Sequence, residues 1–190
     1  MSSFYSEEEL QELGLKSCGE NVCISRKSSI YGAENISIGN HVRVDDFCIL
    51  SGKITLGNHI HVSAYAALYG AEKGIEVGDY ASISSRTSIY AVSDDYSGDF
   101  MTNPTMPEQF RGVTSAPVQI GEHVIIGASS IVLPGVVVGE GASFGAFSLI
   151  KENCEGWSMY AGIPVKKIRE RSRALLEKAE QFERERREDI

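Results

Sequence analysis

The residues best suited to chemistry near the C terminus are five closely spaced cations: Lys166, Lys167, Arg169, Arg171 and Arg173. Lysine offers a point charge and arginine a planar fork, and both bind phosphate oxygens well. The cluster could therefore hold a small phosphorylated ligand. The alternative is the solvated face of a helix on which acids and bases pair four residues apart. The residues alone leave both interpretations open.

Charge and composition exclude several classes of protein. The net charge is −8 over 190 residues, and half of the 18 basic residues follow Val165, so the body of the chain is acidic, which argues against nucleic acid as a partner. No run of about twenty apolar residues and no basic-then-apolar leader occurs, which predicts neither a membrane span nor a secretion signal. The four cysteines lack metal-ligand spacing, and the cytoplasm is the expected compartment.

The elements that must position these residues follow a period of six. An aliphatic residue, often followed by glycine, recurs at every sixth position over most of the chain. Neither a helix of 3.6 residues per turn nor the alternation of a strand gives this period. A coil with three flat sides, each a short strand and a corner, does give it. The sequence therefore predicts an all-β solenoid, in which each coil stacks on the next.

Residues about eighteen apart fall in columns, as three six-residue sides per coil require. The first column is Ile38, Leu56, Val77, Ile120 and Val138; the second is Val44, Val62, Ile83, Ile126 and Phe144; the third is Leu50, Leu68, Ile89, Val132 and Ile150. Glycine follows each member of the first column, which predicts a corner with positive φ or close backbone approach. A short insertion near 73–75 and a long one at 95–119 interrupt the pattern.

Both ends are predicted to be helical, which gives three segments: an N-terminal helical cap at 1–19, the solenoid at 20–165 and a basic C-terminal helix at 166–190. Ser6 and Glu9 form a capping box and Gly14 is a stop signal, so a short helix is expected to plug the open end. A longer helix is expected from about Lys167 to Arg187. Its apolar stripe would be Ile168, Leu175, Leu176, Ala179 and Phe182.

The histidines could be metal ligands or a structural ladder. His41 and His59 are eighteen residues apart, and Tyr80 and His123 continue their column. Rings stacked about 4.8 Å apart, one per coil, do not converge on one ion as zinc requires. The spacing favours solvated corners, with a subunit seam as a further role, over a metal site.

Two motifs, LPGVVVG at 133–139 and YAGIPVKKI at 160–168, together with the period of six, resemble the hexapeptide-repeat acyltransferases over about residues 20–170. The resemblance implies a left-handed parallel β-helix, a homotrimer and an acyl-CoA co-substrate. It also implies a groove between subunits in which small residues accept the pantetheine arm and basic residues hold its phosphates. The matching small residues are Gly127, Ala128 and Ala146, and the matching basic residues are Lys151, Lys166 and Arg169.

The long insertion carries aromatic residues, methionine and prolines, which favours an ordered binding loop over an idle connection. Asp95, Tyr96, Met101 and Asn103 are its candidate substrate contacts. The alternative is a loop that only seals a subunit interface.

Many members of the family carry a histidine base where this loop leaves the coil, and here the matching residue is Asp94. No histidine occurs between His61 and His123. A hydroxyl nucleophile needs a base, whereas an unprotonated amine already has a lone pair and can release its proton late. Asp94 is therefore the candidate to orient an amine and take its proton. Ser84 is expected on the adjoining side of the same coil, where it could share the acceptor site or only bond the backbone. The amides of Gly127 and Ala128 are candidates to bind the oxyanion.

Within the family, the run SDDYSG followed by MTNPT resembles acyltransferases of nucleotide-linked 4-amino-4,6-dideoxy sugars, such as the enzyme of the anthrose pathway. The resemblance implies N-acylation of a sugar that is nucleotide-linked, with dTDP as the expected carrier, in polysaccharide biosynthesis and without a metal. Three alternatives stay open: a sugar O-acetyltransferase, a metal-dependent hydratase on the same scaffold, and a solenoid subunit without catalysis.

Overall fold

The computed structural model describes residues 3–188, so 1–2 and 189–190 of the predicted end segments lie outside the described residues. The helices of this part are α1 (Glu7–Glu12), two short 3-10 helices (Ala33–Asn35 and Glu108–Phe110) and α2 (Leu175–Glu188). Its strands are β1 (Ser17–Cys18), β2 (Cys23–Ile24), β3 (Ser29–Tyr31), β4 (Ile36–Ile38), β5 (Arg43–Val44), β6 (Ile49–Leu56), β7 (His61–Val62), β8 (Ala67–Val77), β9 (Ser82–Ile83), β10 (Ser88–Tyr90), β11 (Val92–Asp94), β12 (Val113–Ser115), β13 (Val118–Ile120), β14 (Ile125–Ile126), β15 (Ile131–Val132), β16 (Val137–Val138), β17 (Ser143–Phe144), β18 (Leu149–Ile150), β19 (Ser158–Ala161) and β20 (Lys166–Glu170).

The predicted solenoid is confirmed. Strands of successive coils pair in parallel on three sides. The first side contains β1, β4, β13, β16 and the ends of β6 and β8. The second side contains β2, β5, β7, β9, β14, β17 and β19, and the third contains β3, β10, β15, β18 and the starts of β6 and β8. All fifteen predicted column residues are at most 4% exposed, so the core is the interior of the coils.

Helix α1 covers the open end of the solenoid, as predicted from its capping box. The Ser6 hydroxyl accepts from the Glu9 amide and the Glu9 carboxylate accepts from the Ser6 amide. Leu10 is buried against the core, and Leu13 packs on it from the end of the helix. A cavity of about 390 Å³ remains between α1 and the first coil, so the helix covers this end incompletely.

The glycines of the first column serve close approach and not positive φ, which settles the alternative left by the sequence. A Cβ atom on Gly39 would lie 2.5 Å from the carbonyl oxygen of Gly57, and one on Gly139 would lie 2.4 Å from the amide nitrogen of Gly156. Positive φ falls two residues later, on His41 (56°) and its equivalents in other coils. The corner therefore needs glycine because adjacent coils touch there.

The short insertion is absorbed inside β8, where the register against β6 shifts between Ser51 and Ile54. The long insertion leaves the third side after β10. Its two ends form an antiparallel hairpin, in which β11 pairs with β12 and Asp94 lies opposite Val113. The hairpin fixes the stem of the loop against the coil.

The C-terminal helix begins later than the sequence predicted, so its predicted start at about Lys167 is wrong. Lys166–Glu170 forms β20, which pairs antiparallel with β19 on the second side, and α2 begins only at Leu175. An open edge at β19 would leave its backbone groups unpaired, and β20 satisfies them. Ile168 is 63% exposed within this strand, so it does not belong to the apolar stripe of the helix.

The predicted ring ladder is confirmed, but α2 covers it, so the corner is not simply solvated. His41, His59, Tyr80 and His123 stack with centroid separations of 4.6, 5.1 and 4.9 Å. Phe182 of α2 meets the His59 ring edge-on, and the Arg186 guanidinium lies 2.8 Å from His59 Nε2. The Tyr80 hydroxyl donates to the Glu183 carboxylate. These contacts dock the helix on the ladder.

Acidification is expected to loosen α2 through His59. Burial, then His41 and Arg186, lowers the pKa of His59 below its usual 6.5. The unfolded chain therefore takes up this proton first, and the stability from neutral His59 is complete above pH 6.5 and falls as the pH drops below it. The Glu183 carboxylate stays ionised in this window because the Tyr80 hydroxyl lowers its pKa. Limited proteolysis of α2 between pH 7.5 and 5.5 measures the effect, and His59→Gln is expected to flatten it; an equal pH response in both proteins contradicts the assignment.

Candidate active site

A cavity of about 660 Å³ lies where the third side of the solenoid meets the long insertion. Strands β8, β10, β11, β15 and β18 contribute to its walls, and the insertion closes one side. The lining residues are Tyr69, Tyr90, Val92, Ser93, Asp94, Tyr96, Pro104, Arg111, Ile131, Leu133 and Leu149. The cavity is thus an apolar and aromatic pocket that carries one carboxylate and one guanidinium.

Asp94, the residue that the sequence predicts for the acceptor site, lines this cavity. The hairpin of β11 and β12 fixes its backbone, and its side chain is 40% exposed. The nearest cation is Arg111, whose Nη2 lies 3.7 Å from Asp94 Oδ1. A carboxylate held at the mouth of an apolar pocket can accept a hydrogen bond or a proton from a bound amine.

Two tyrosines form an aromatic wall that the sequence reasoning missed. Tyr69 and Tyr90 stack with their centroids 5.0 Å apart, and their Cα positions are paired partners in β8 and β10. Burial raises the pKa of the Tyr69 phenol, so it stays a neutral donor. Each follows an interior residue of the third column, and Leu133 holds the same place in a later coil. Tracing that outward column in the sequence would have found this wall.

Of the four residues of the insertion that were predicted to contact substrate, only Tyr96 is among the described residues that line the cavity. Tyr96 lines the cavity, whereas Asp95 accepts from the Ser97 hydroxyl and the Gly98 amide, which lowers the pKa of Asp95. Asn103 accepts from the amide and hydroxyl of Thr105, and Met101 forms a β-bridge with Arg111. Asp95 and Asn103 thus shape the loop from within.

Ser84 and Asp94 are not brought together within one subunit. Ser84 follows β9 on the second side, and its amide donates to the Ile126 carbonyl. It does not line the cavity that contains Asp94. Its hydroxyl has no partner among the described residues, so it is available for a ligand or a second subunit. The sequence predicted that the two residues lie on adjoining sides of one coil, but not that the cavity of one subunit contains Asp94 without Ser84.

The predicted groove residues lie in one column at the corner between the second and third sides. Gly127 and Gly145 follow paired strands β14 and β17, so Ala128 and Ala146 are stacked neighbours. A Cβ atom on Gly127 would lie 2.5 Å from the Ala146 amide nitrogen. The Gly127 amide donates to the Phe144 carbonyl, which removes it as a candidate oxyanion donor. The Ala128 amide has no partner in the part of the chain that the structure describes.

The predicted basic residues are exposed and differ in their surroundings. Lys151 lies one coil beyond Leu133, beside the cavity, and is loosely paired with Glu152 at 3.6 Å. Lys166 and Arg169 lie on β20 and form no ion pair with any described residue. Their neighbours are occupied: Lys167 pairs with Glu155 and Glu170, and the Arg171 guanidinium binds backbone carbonyls. The side chains of Lys166 and Arg169 are therefore available to pair with an anionic ligand.

Comparison with known proteins decides the family. A model described as bacterial transferase hexapeptide (six repeats) matches residues 117–152. The dTDP-4-amino-4,6-dideoxy-D-glucose acyltransferase of Escherichia coli is 49% identical over 178 residues, which is 92% of each chain. The chain belongs to the hexapeptide-repeat acyltransferases. The putative lipopolysaccharide biosynthesis O-acetyl transferase WbbJ of Escherichia coli strain K12 is 30% identical, over 77% of this chain and 74% of WbbJ.

Solved structures of AntD, an N-acyltransferase from Bacillus cereus, share 52% identity with this acyltransferase. The complex with dTDP and 3-hydroxybutyryl-CoA has a TM-score of 0.96 and covers 98% of this chain and 100% of AntD. A complex of AntD S84C with dTDP-4-amino-4,6-dideoxyglucose and coenzyme A has a TM-score of 0.95 and covers 97% of this chain and 99% of the AntD chain. AntD has also been solved as the variants S84A, S84T, D94A and D94N.

Other features of this acyltransferase bear on the alternatives. Within residues 3–188, no cluster of three or more His, Cys, Asp or Glu side chains is arranged to hold a metal. His61 is the histidine with a carboxylate partner in the described chain, since its Nε2 lies 2.7 Å from Asp45 Oδ2. No helix in the described part is long and apolar enough to cross a membrane.

Proposed function

We propose that this acyltransferase moves an acyl group from acyl-CoA to the amine of a dTDP-linked 4-amino-4,6-dideoxy sugar. The observation that carries the proposal is the acceptor cavity, which holds Asp94 and, among its described lining residues, no histidine. A carboxylate suffices for an amine nucleophile and is a poor base for a sugar hydroxyl. The names of the E. coli relative and of the AntD complexes support the same acceptor and co-substrate.

The proposed reaction is a direct attack. The amine nitrogen bonds to the thioester carbonyl carbon, and the tetrahedral intermediate collapses with cleavage of the carbon–sulfur bond. The amine loses one proton to Asp94, and Asp94 releases that proton to the departing CoA thiolate directly or through solvent, so the enzyme returns to its starting state. The free Ala128 amide is the backbone donor proposed for the oxyanion, in place of Gly127.

We propose that the active site spans two subunits of a homotrimer. Asp94 and Ser84 lie on different sides of one coil, and a neighbouring subunit would bring the Ser84 of one copy to the cavity of the next. AntD variants at the same two residue numbers support a joint role. Gly127, Ala128 and Ala146 would then form one wall of the acyl-CoA groove, with Lys151, Lys166 and Arg169 near its phosphates.

An exposed, mostly apolar strip beside this groove, in which Arg86 and Ser129 lie between Tyr65 and Phe147, supports the assembly. Phe47 and Tyr65 stack at 4.9 Å along the corner between the second and third sides, and Phe147 lies on the same corner. Phe147 is 67% exposed, and Ile125 and Ile131 flank the corner at 39% and 41%. Such a strip is costly in water and is typical of a protein interface.

Light scattering on the purified protein is expected to report a trimer. Phe147→Asp is expected to shift the distribution towards smaller species, because it places a charge in a buried apolar contact. Glu177→Gln, a change on the exposed face of α2, serves as the control. A stable monomer of the parent protein at micromolar concentration contradicts the shared site.

The function itself is tested by thiol release. The protein is incubated with dTDP-4-amino-4,6-dideoxyglucose and a panel of acyl-CoAs, free CoA is measured, and the product is identified by mass spectrometry. An N-acyl nucleotide sugar is expected, and the panel gives the preferred acyl length. Absence of thiol release with every donor contradicts the proposal.

We propose the cytoplasm as the compartment, because acyl-CoA and nucleotide sugars are cytoplasmic metabolites. The four free cysteines support this compartment.

A further inference from the structure

Arg111 is held at the acceptor cavity by the folded end of the long insertion. Its amide donates to the Glu108 carbonyl, and the preceding carbonyl of Phe110 accepts from the Met101 amide. The next residue, Gly112, is packed so closely under the Phe100 ring that a Cβ atom there would lie 2.4 Å from the ring. Val113 then pairs with Asp94. The backbone around Arg111 is therefore fixed relative to Asp94.

The guanidinium of Arg111 has unmet bonding capacity at this position. Its side chain is 23% exposed, and Nε is hidden from solvent without a hydrogen-bond partner. Its Nη2 lies 3.7 Å from Asp94 Oδ1, which is an ion pair but longer than a hydrogen bond. Contacts of this length tighten in a reactive complex. The geometry leaves room for the carboxylate to move closer when the cavity is filled.

Arg111 is also the cation of this cavity. Among the described lining residues, the other titratable groups are Asp94 itself and the phenols of Tyr69, Tyr90 and Tyr96. Within the described chain, the cation at ion-pair distance from the Asp94 carboxylate is thus the Arg111 guanidinium. Arginine stays charged under all conditions in which the enzyme works.

We propose that Arg111 is a positioning residue for Asp94. It holds the carboxylate facing the cavity, so that Asp94 can take the proton that the attacking amine releases. Arg111 does not touch the reacting atoms in this scheme. The proposal rests on the proposed amine acylation, and it gives the long insertion a part in catalysis through its last residues.

A competing role for the same guanidinium is to bind the diphosphate of the acceptor. A double-mutant cycle separates the two, because residues that act through one another are not additive. Steady-state kinetics are measured for the parent, Arg111→Gln, Asp94→Asn and the double variant. Arg111→Gln is expected to lower kcat on the order of 10- to 100-fold with little change in KM for acyl-CoA, the size of effect that misplacement of a catalytic group gives. In the Asp94→Asn background, the same change is expected to cost less than about 2-fold.

Three further measurements complete the test. Arg111→Lys is expected to recover part of the lost kcat, and added guanidinium is expected to restore activity partly to Arg111→Ala. Calorimetric affinity for dTDP is expected to stay within about 3-fold of the parent value in Arg111→Gln, which corresponds to less than about 0.7 kcal/mol. Arg26→Gln, which breaks an arginine–carboxylate pair with Glu9 far from the cavity, controls for loss of a surface ion pair. Thermal unfolding of each variant controls for folding.

Three results overturn the proposal. Multiplicative losses in the double variant would show that Arg111 acts independently of Asp94. A tenfold or greater loss of dTDP affinity would assign Arg111 to the diphosphate. Unchanged kcat and KM in Arg111→Gln would show that Arg111 has no role in catalysis. A parent protein that acylates no amine with any acyl-CoA is a different result, since it removes the proposed function before any Arg111 variant is compared.

Discussion

Replacing Asp94 with asparagine is expected to lower kcat/KM for the amino sugar on the order of 10²-fold, the usual contribution of a positioned proton acceptor. Asparagine keeps the shape of the side chain and can still orient the amine, so measurable turnover is expected to remain. Asp94→Ala removes the orienting contact as well and is expected to raise KM for the acceptor. Steady-state thiol release with saturating acyl-CoA measures both parameters.

The neighbouring loop supplies a matched control. Asp99 is an exposed carboxylate of the same insertion and does not line the cavity. Asp99→Asn is therefore expected to leave kcat/KM unchanged, which separates the role of Asp94 from a general loss of negative charge. Equal activity of Asp94→Asn and the parent protein would remove the carboxylate from the mechanism.

The amino sugar nucleotide is expected to be acylated on the order of 10²- to 10⁴-fold more efficiently than its 4-hydroxyl counterpart, the factor that general base catalysis typically supplies. A hydroxyl must lose its proton as it attacks, and a carboxylate is a weak base for that step. An amine attacks with its own lone pair and needs the carboxylate only afterwards. Parallel kcat/KM values for the two acceptors with one acyl-CoA measure the preference.

Efficient acylation of the hydroxyl acceptor would contradict the assignment and would favour the O-acetyltransferase alternative, to which WbbJ is similar. The base would then be sought among the histidines. His59 is covered by α2, and His123 is stacked against Tyr80. His61 is half-exposed and has Asp45 at 2.7 Å to orient its ring, so His61→Gln would be the first variant to measure.

The interior of the solenoid could be predicted from the sequence because it depends on a local rule. A side of six residues repeats its inward position in every coil, so Leu50, Leu68 and Ile89 are buried for the same reason. The capping box of α1 and the ring ladder of His41, His59 and Tyr80 follow from equally short or strictly repeated spacings. Asp94 could be placed at the base of the insertion because the coil reaches it without a gap.

Other features depend on surfaces that exist only once the coils are stacked. The basic segment Lys166–Glu170 is a strand because β19 presents an open edge to it. No local pattern in the segment itself predicts this pairing. The same stacking places the glycines where coils touch and leaves positive φ to residues such as His41.

The composition of the candidate active site was decided by tertiary structure in the same way. Tyr90 and Asp94 are close in the sequence, but Tyr69, Arg111 and Leu133 reach the cavity from other coils and from the far end of the insertion. Ser84 lies ten residues from Asp94, on the adjoining side of the coil that the spacing predicts, but it does not line the cavity. Sequence spacing fixes which side of a coil a residue occupies, whereas the loop's return path and the packing of successive coils fix which side chains share a cavity.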